Sequence, residues 1–251
     1  MLDKTFPSEK PALVRRAVVL AGGKGTRLRP FTFAFPKPLL PIGETPIIDI
    51  VMRQLQASGV QRVTLAVGHL AELLMAYFAN RHYQGMTIDY SREERPLGTA
   101  GPLALVDGLN EPFFVLNGDL LTSLDFADLA RRHVESKAQA TIASYGKSYQ
   151  VDLGILELNE RGELSAYREK PTHYYKVSMG IYVFEPEIVK LLRGGEPCDL
   201  PDLVARILES QRRLFVYPFD GYWVDIGTPG EYARAVEEFE GIKATLFRGH
   251  A

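Results

Sequence analysis

The stretch LAGGKGTRLRPFTFAFPKPLLPI (residues 20–42) completes the first apolar run of the chain, AVVLA (17–21). It combines three glycines with four cationic side chains: Gly22, Gly23, Gly25, Lys24, Arg27, Arg29 and Lys37. Glycines let a backbone turn sharply and bring its N–H groups close to an anion. The stretch is therefore either a basic turn in solvent or a binding loop for a phosphorylated substrate. It lacks the GK[ST] ending of the P-loop, and Leu28 stands where a dinucleotide-binding loop has its third glycine.

Short apolar runs alternate with helical patterns through the first part of the chain. The predicted strands cover residues 17–21, 62–67, 87–91, 113–118 and 140–145. The predicted helices lie near residues 46–59, 70–80, 99–108 and 125–136, and Thr99 is an acceptable cap for the third. From about Val151 the strands are closer together and look antiparallel or mixed, and helices follow near 200–212 and 229–243. This order predicts the α/β class, with a Rossmann-like mixed, mainly parallel sheet flanked by helices and a more irregular second half.

The chain has no internal repeat, low-complexity linker or clean boundary, so we predict one domain over residues 1–251. Its two halves cover about residues 15–150 and 151–245. In open sheets of this class, ligands bind outside the carboxyl ends of the strands. Glycine and polar clusters directly after a strand are therefore the candidates for a site, and the opening stretch is one of them.

Composition excludes several classes of protein. A net charge of −2 argues against a protein that tracks nucleic acid, which normally carries a net basic face. The single cysteine, Cys198, rules out an internal disulfide and a cysteine metal cluster, and it fits a reducing cytoplasm. The first residues, MLDKTFPSEKPALVRR (1–16), lack a signal-peptide pattern, and no apolar run approaches the roughly 20 residues of a membrane span. We expect a cytoplasmic protein without nucleic-acid or membrane partners.

Four further motifs follow the opening stretch: PLGTAGPL (96–103), VLNGDLL (115–121), REKP (168–171) and GYWVDIGTPGEY (221–232). Together the five motifs resemble, in order, the signature of the sugar-1-phosphate nucleotidyltransferases, or nucleotide-sugar pyrophosphorylases. The resemblance covers nearly the whole chain, and we therefore expect no additional C-terminal domain of the kind that some relatives carry. It implies that a sugar-1-phosphate oxygen attacks the α-phosphorus of a nucleoside triphosphate and that pyrophosphate leaves. The first half would then bind the nucleotide and the second half the sugar phosphate.

The resemblance also implies roles for the opening stretch. Arg27 would bind the triphosphate and the leaving pyrophosphate through its planar guanidinium, and Lys37 would lie near the α-phosphate and the sugar phosphate. We expect these two to be the catalytic residues. The expected nucleotide-binding residues are Leu20, Ala21, Gly22, Gly23, Gly25, Thr26, Glu93, Leu97, Gly98 and Thr99.

Two aspartates are the candidate metal ligands. Asp119 follows the predicted strand 113–118, and Asp225 follows a second short apolar run. Isolated loop aspartates are more commonly solvated, but Mg²⁺ needs only a few carboxylate oxygens beside those of phosphate. The resemblance makes this pair the Mg²⁺ site. The five histidines (His69, His82, His133, His173 and His250) show no metal-ligand spacing, and an ionised phosphate nucleophile needs no catalytic base.

The sugar site is the part that the resemblance leaves most open. The expected substrate-binding residues are Asn117, Gly118, Gly154, Glu169, Lys170 and Gly180. Glu169 would bind sugar hydroxyls and Lys170 the sugar phosphate. The family often has an aromatic residue where this chain has Leu153, and Asn or Thr where it has Ser178. These departures concern the identity of the sugar and not the reaction.

The sequence leaves more than one identity open for the nucleotide and for the acceptor. Glu93 and Glu94 offer carboxylates to the N1–H and N2–H₂ edge of guanine, and the motifs are closest to those of guanylyltransferases for mannose- or heptose-type phosphates. The expected substrates are therefore GTP and a sugar 1-phosphate. UTP, dTTP or a cyclitol phosphate remains an alternative, as does a catalytically silent protein that senses nucleotide-sugars. A homodimer is possible, through apolar surface that the sequence does not locate.

Overall fold

The computed structural model describes residues 12–247, so the first eleven residues and His250 lie outside the described part. The strands are β1 (Arg16–Ala21), β2 (Pro41–Ile42), β3 (Thr45–Pro46), β4 (Arg62–Val67), β5 (Thr87–Arg92), β6 (Phe113–Asn117), β7 (Leu120–Thr122), β8 (Ala140–Gln150), β9 (Ile155–Leu158), β10 (Leu164–Arg168), β11 (Thr172–Phe184), β12 (Leu214–Phe219) and β13 (Trp223–Asp225). The α-helices are α1 (Ile47–Ala57), α2 (Ala71–Phe78), α3 (Phe126–Ser136), α4 (Leu200–Glu209) and α5 (Pro229–Leu246). None of these helices combines the length and apolar composition that a membrane crossing requires.

A seven-stranded sheet forms the centre of the fold, in the order β12-β8-β11-β6-β1-β4-β5. Strands β6, β1, β4 and β5 are parallel neighbours, and β12 is parallel to β8. Strand β11 runs antiparallel to both β6 and β8 and so joins the two parallel groups. The prediction of a mixed, mainly parallel sheet flanked by helices is confirmed.

Helices cover both faces of the sheet because the central strands alternate apolar side chains between the two faces. In β6, Phe114 and Leu116 pack into the cluster that includes α1, α2 and α3. Phe113 and Val115 point to the opposite face and pack with α4. Of the five strands predicted from the sequence in the first part of the chain, four agree closely with the structure. The fifth, β8, extends to Gln150 because its second half pairs with Thr172–Lys176 of β11.

The predicted helix over 99–108 is wrong. Residues Gly101–Leu105 form a short 3₁₀ helix instead. The helical turn ends at Val106, whose backbone is already extended (φ −91°, ψ 118°), and Gly98 before it has a left-handed backbone with φ of +78°. The proposed cap, Thr99, accepts a hydrogen bond at Oγ1 from Leu200 N (2.8 Å), which belongs to another helix.

The second half contains a separate hairpin of β9 and β10. Leu156 pairs with Tyr167, and Leu158 pairs with Leu164, so these four side chains lie on one face of the hairpin. Each is 59–61% exposed. The hairpin therefore presents an exposed apolar face in the second half of the chain.

Candidate active site

A cleft of about 1090 Å³ opens at the carboxyl ends of the parallel strands β1, β4, β5 and β6. Thirteen of the expected catalytic, nucleotide-binding, substrate-binding and metal-ligand residues line it: Leu20, Ala21, Gly22, Gly23, Gly25, Thr26, Arg27, Lys37, Glu93, Gly98, Thr99, Asn117 and Asp119. Lys24 and Glu94 line it as well. Leu97, Gly118, Gly154, Glu169, Lys170, Gly180 and Asp225 are not among the lining residues. The cleft lies where ligands bind in open sheets of this class.

The opening loop has one turn whose geometry requires glycine. Gly25 adopts φ of +57°, and a Cβ there would lie 2.9 Å from Thr32 Cγ2. Thr32 Oγ1 donates to Gly25 O (2.7 Å) and holds the turn in place. Leu28, three residues on, is fully buried in the cluster that includes Ile226. Leu28 is therefore a packing anchor, which explains why this loop departs from the dinucleotide fingerprint.

The buried Leu28 leaves its neighbour Arg27 on the cleft side of the same 3₁₀ turn. The guanidinium lies beside Gly227, where a Cβ would be 3.4 Å from Arg27 Nη2. Gly227 is in turn held by Glu231, whose Oε2 accepts from Gly227 N (3.0 Å). Arg27 thus reaches from the loop after β1 toward the start of α5, across one wall of the cleft.

Two short strands bring the candidate metal ligands together. Asp119 lies just before β7, and Asp225 is the last residue of β13. Strands β7 and β13 pair with Asp225 opposite Leu120, and Ile226 N donates to Asp119 O (3.3 Å). The pairing therefore places the two carboxylates side by side although they are far apart in sequence.

Lys37 lies between the two carboxylates. Its Nζ donates to Asp119 Oδ2 and is 4.0 Å from Asp225 Oδ1. Its side chain is only 11% exposed, so solvent weakens the interaction little. Burial raises the pKa of Asp225, and the negative charge of Asp119 raises it further, against the lowering effects of Lys37 and Arg27. The cluster therefore holds two carboxyl groups against one close cation.

The geometry of the aspartate pair fits a hard cation. Asp119 Oδ1 is buried and accepts no hydrogen bond from any described residue. Within residues 12–247, no group of three or more His, Cys, Asp or Glu side chains is arranged to hold a metal. A metal at Asp119 and Asp225 would thus depend on oxygens from elsewhere, as Mg²⁺ does when it binds through one or two carboxylates and substrate phosphates.

Glu93 packs between the loops that follow β1 and β4. Its Oε2 accepts from Leu97 N (2.9 Å). A Cβ at Gly22 would lie 2.9 Å from Glu93 Oε1, and one at Gly68 would lie 2.6 Å from it. The two glycines therefore leave the space that this carboxylate occupies. Leu97 is only 3% exposed, and its contact with the Glu93 carboxylate is made by its backbone N–H and not by its side chain.

The expected sugar-binding residues fall into two groups. Gly180 lies in an irregular part of β11 with φ of +72°, and a Cβ there would be 2.6 Å from Asn117 Nδ2. A Cβ at Gly118 would lie 3.1 Å from Leu20 O. These three residues meet at the end of β6, next to Asp119.

The other group lies at the β9–β10 hairpin. Glu169 Oε2 accepts from the hydroxyl of Tyr167 (2.7 Å), and a Cβ at Gly154 would collide with that same hydroxyl. Lys170 follows with a positive φ of +43°. The structure does not bring Gly154, Glu169 and Lys170 into the lining of the cleft.

Several cleft residues were missed in the sequence. Gly68, His69, Arg92, Arg95 and Gly227 all line it. Gly68 and His69 come directly after the strand 62–67, so the rule that selected the opening stretch also selects them. Asp199, which contacts Thr99, follows no predicted strand, and no comparable signal marks it.

The model of the family described as "Nucleotidyl transferase" matches residues 16–241 of this chain. A probable mannose-1-phosphate guanylyltransferase 2 from Oryza sativa subsp. japonica is 35% identical over 226 residues, covering 86% of this chain and 62% of the relative. A UTP–glucose-1-phosphate uridylyltransferase from Synechocystis is 33% identical over 242 residues, covering 88% of this chain and 62% of the relative. The chain thus spans about 62% of the length of these curated relatives.

Solved structures share the fold. HddC from Yersinia pseudotuberculosis complexed with GMP-PN superposes with a TM-score of 0.69 at 22% identity, covering 90% of this chain and all of that chain. A putative glucose-1-phosphate thymidylyltransferase from Bacillus anthracis superposes with the same TM-score at 23% identity, covering 88% of this chain and 94% of that chain.

Proposed function

Because this chain belongs to the nucleotidyl transferase family, we propose that it transfers a nucleotidyl group from a nucleoside triphosphate to a sugar 1-phosphate and releases pyrophosphate. The observation that carries the proposal is the convergence of Arg27, Lys37 and Asp119 on one cleft, with Asp225 Oδ1 4.0 Å from Lys37 Nζ. Phosphoryl and nucleotidyl transfer depend mainly on positioning the reactants and on neutralising their charge. The two cations and two carboxylates of this cluster can do both.

Each charged residue of the cluster has its own role in the proposed reaction. Lys37 neutralises the sugar phosphate and the α-phosphate where charge shifts during attack, and Arg27 binds the leaving pyrophosphate through its planar guanidinium. The sugar phosphate is already ionised, so its oxygen attacks the α-phosphorus directly and the P–O bond to pyrophosphate breaks without a protein base. Asp119 and Asp225 would hold Mg²⁺, which, when bound, neutralises phosphate oxygens and orients them.

GTP is the nucleotide that we propose. The relative from Oryza sativa, which is 35% identical, is named a mannose-1-phosphate guanylyltransferase. Glu93 and Glu94 both line the cleft and offer carboxylate acceptors to the N1–H and N2–H₂ groups of guanine. UTP is the second candidate, because one relative with 33% identity is named a uridylyltransferase.

The position of Asn117, Gly118 and Gly180 beside Asp119 supports the sugar-binding roles proposed for them. Glu169 and Lys170 keep their proposed roles toward the sugar hydroxyls and phosphate. The positive φ of Lys170 supports this, because non-glycine residues in that conformation concentrate at functional sites. The homodimer, the cytoplasmic location and the division into a nucleotide half and a sugar half stay predictions.

The test is pyrophosphate release with Mg²⁺, with GTP, UTP, dTTP, CTP and ATP each paired with mannose, glucose, heptose, amino-sugar and cyclitol 1-phosphates. We expect release that requires both substrates and is fastest with GTP. Release with UTP alone would reject the nucleotide assignment and keep the reaction. No release from any pair, with nucleotide-sugar still bound in a thermal-shift assay, would reject the enzyme in favour of a sensor.

A further inference from the structure

The loop of residues 93–100 carries Glu93 and Glu94, which line the cleft, and a segment from the other half of the chain holds this loop. Cys198 N donates to Leu97 O (2.9 Å). Cys198 O accepts from Ala100 N (2.9 Å) and from Gly101 N (3.0 Å). The loop is thus bonded on its outer side to residues 195–199, which lead into α4.

Thr99 makes the most directed of these contacts. Its backbone N–H and its hydroxyl both donate to Asp199 Oδ1, at 2.9 Å and 3.2 Å. The same hydroxyl accepts from Leu200 N, the first N–H of α4. Thr99 lines the cleft, yet its polar groups are bonded on the side away from it. These hydrogen bonds of Thr99 therefore compete with the direct contact to the nucleotide that the sequence predicted for it.

Gly98 completes the contact. A Cβ at this position would lie 2.6 Å from Cys198 O and 2.7 Å from Asp199 Oδ1. The loop backbone therefore approaches Asp199 as closely as a residue without a side chain allows. Asp199 precedes the first residue of α4, where the positive end of the helix favours a carboxylate.

We propose that Asp199 is a positioning residue for nucleoside recognition: it holds Thr99 and so fixes the path of loop 93–100 against the cleft. This inference rests on the proposed function. Without the carboxylate, Thr99 would exchange its bonds for water, and the loop would be ordered only when the nucleotide binds. The cost of that ordering appears as weaker nucleoside triphosphate binding. The contacts proposed for the sugar phosphate and for the chemical step lie on other segments, so we expect both to be left unchanged.

A purely structural role would act through the stability of α4, and Asp202 separates the two. Asp202 Oδ2 accepts from Asp199 N (3.2 Å), so it contributes to the same helix start without contacting Thr99. Asp202→Ala is therefore the matched control for Asp199→Ala. Asp199→Asn keeps an acceptor oxygen and removes the charge.

The experiment measures kcat, the KM for GTP, the KM for the sugar 1-phosphate and the Tm of the three variants. We expect Asp199→Ala to raise the KM for GTP about tenfold, with kcat and the KM for the sugar 1-phosphate within about twofold of wild type. Asp199→Asn restores most of the affinity for GTP. Asp202→Ala lowers Tm and leaves the KM for GTP within about twofold. An equal rise of that KM in Asp202→Ala, or no rise in Asp199→Ala, would overturn the proposal.

Calorimetric titration with GTP and with UTP, in the absence of acceptor, separates this proposal from the proposed function. If wild type binds GTP, releases no pyrophosphate from any pair, and Asp199→Ala binds about tenfold more weakly, the positioning role stands and the reaction fails. If wild type turns over and Asp199→Ala matches it, the reaction stands and the positioning role fails. If wild type binds neither nucleotide, both are wrong.

Discussion

His133 makes the stability of this fold depend on pH, far from the cleft. Its side chain on α3 has no exposed surface. Nδ1 lies 2.7 Å from Thr141 Oγ1, and Nε2 lies 3.3 Å from Glu185 Oε1. Burial lowers the pKa of His133 to about 4 from its ordinary value of 6.5. The native protein therefore keeps this imidazole neutral where the unfolded chain protonates it.

The sign and size follow from linkage. Below about pH 6.5 the unfolded state binds a proton that the native state does not, so stability falls as pH decreases toward about 4. The loss attributable to His133 reaches about 2 kcal/mol at about pH 5 and about 3 kcal/mol below about pH 4. Glu185 acts in the opposite direction, because burial and then the charge of Glu187 raise its pKa. A variant that removes only the imidazole isolates its contribution.

The assay is urea unfolding of wild type and His133→Gln at pH 7, 6 and 5. The glutamine cannot titrate, so we expect wild type to lose about 2 kcal/mol more than the variant between pH 7 and pH 5. The variant serves as the baseline for Glu185 and for every other group. Parallel stability curves for the two proteins would refute a neutral, buried imidazole.

The remaining predictions concern the cleft. Asp119→Asn should lower kcat about a thousandfold in the pyrophosphate assay, as should EDTA on wild type, and normal kcat would remove Asp119 from the metal site. Arg27→Ala should lower kcat/KM for the triphosphate at least about a hundredfold, with partial recovery in Arg27→Lys, and full activity would reject its role. Gly25→Ala should cost about 1–2 kcal/mol in urea unfolding, because φ is +57° and a Cβ would lie 2.9 Å from Thr32 Cγ2. Gly23→Ala, with open space around its Cβ, should leave stability unchanged, and equal losses would contradict this reasoning.

The fold was predictable from the sequence where local pattern and tertiary environment agree. The run RVTLAV became β4 over the same residues, Arg62–Val67, because β-branched apolar residues suit a strand buried between two others. The helix predicted near 125–136 became α3 (Phe126–Ser136), and Asp125 caps it by accepting from Ala127 N (2.9 Å). The helix predicted over 99–108 is wrong because the chain is already extended at Val106, so that only the 3₁₀ turn Gly101–Leu105 forms.

The candidate site was only partly predictable, for a physical reason. Glycines and cations after β1 follow from the strand itself. Asp119 and Asp225 lie close together because β7 pairs with β13, and no local sequence pattern predicts that pairing. The contact of Asp199 with Thr99 is likewise tertiary. The roles of Glu169 and Lys170 came from the resemblance alone and stay predictions.

The antiparallel pairing of β6 with β11 also affects how the chain is made. Ile181 to Phe184 of β11 cover the edge of β6 that β1 leaves open. The pairing segment of β11 ends at Phe184, about 67 residues after Asn117, and ribosomes need about 3–13 s to add that length of chain. During that interval Phe113–Asn117 presents an unpaired apolar edge on the nascent chain. The completed protein hides this edge in the middle of its sheet, so the demand for chaperone protection falls on synthesis and not on the finished molecule.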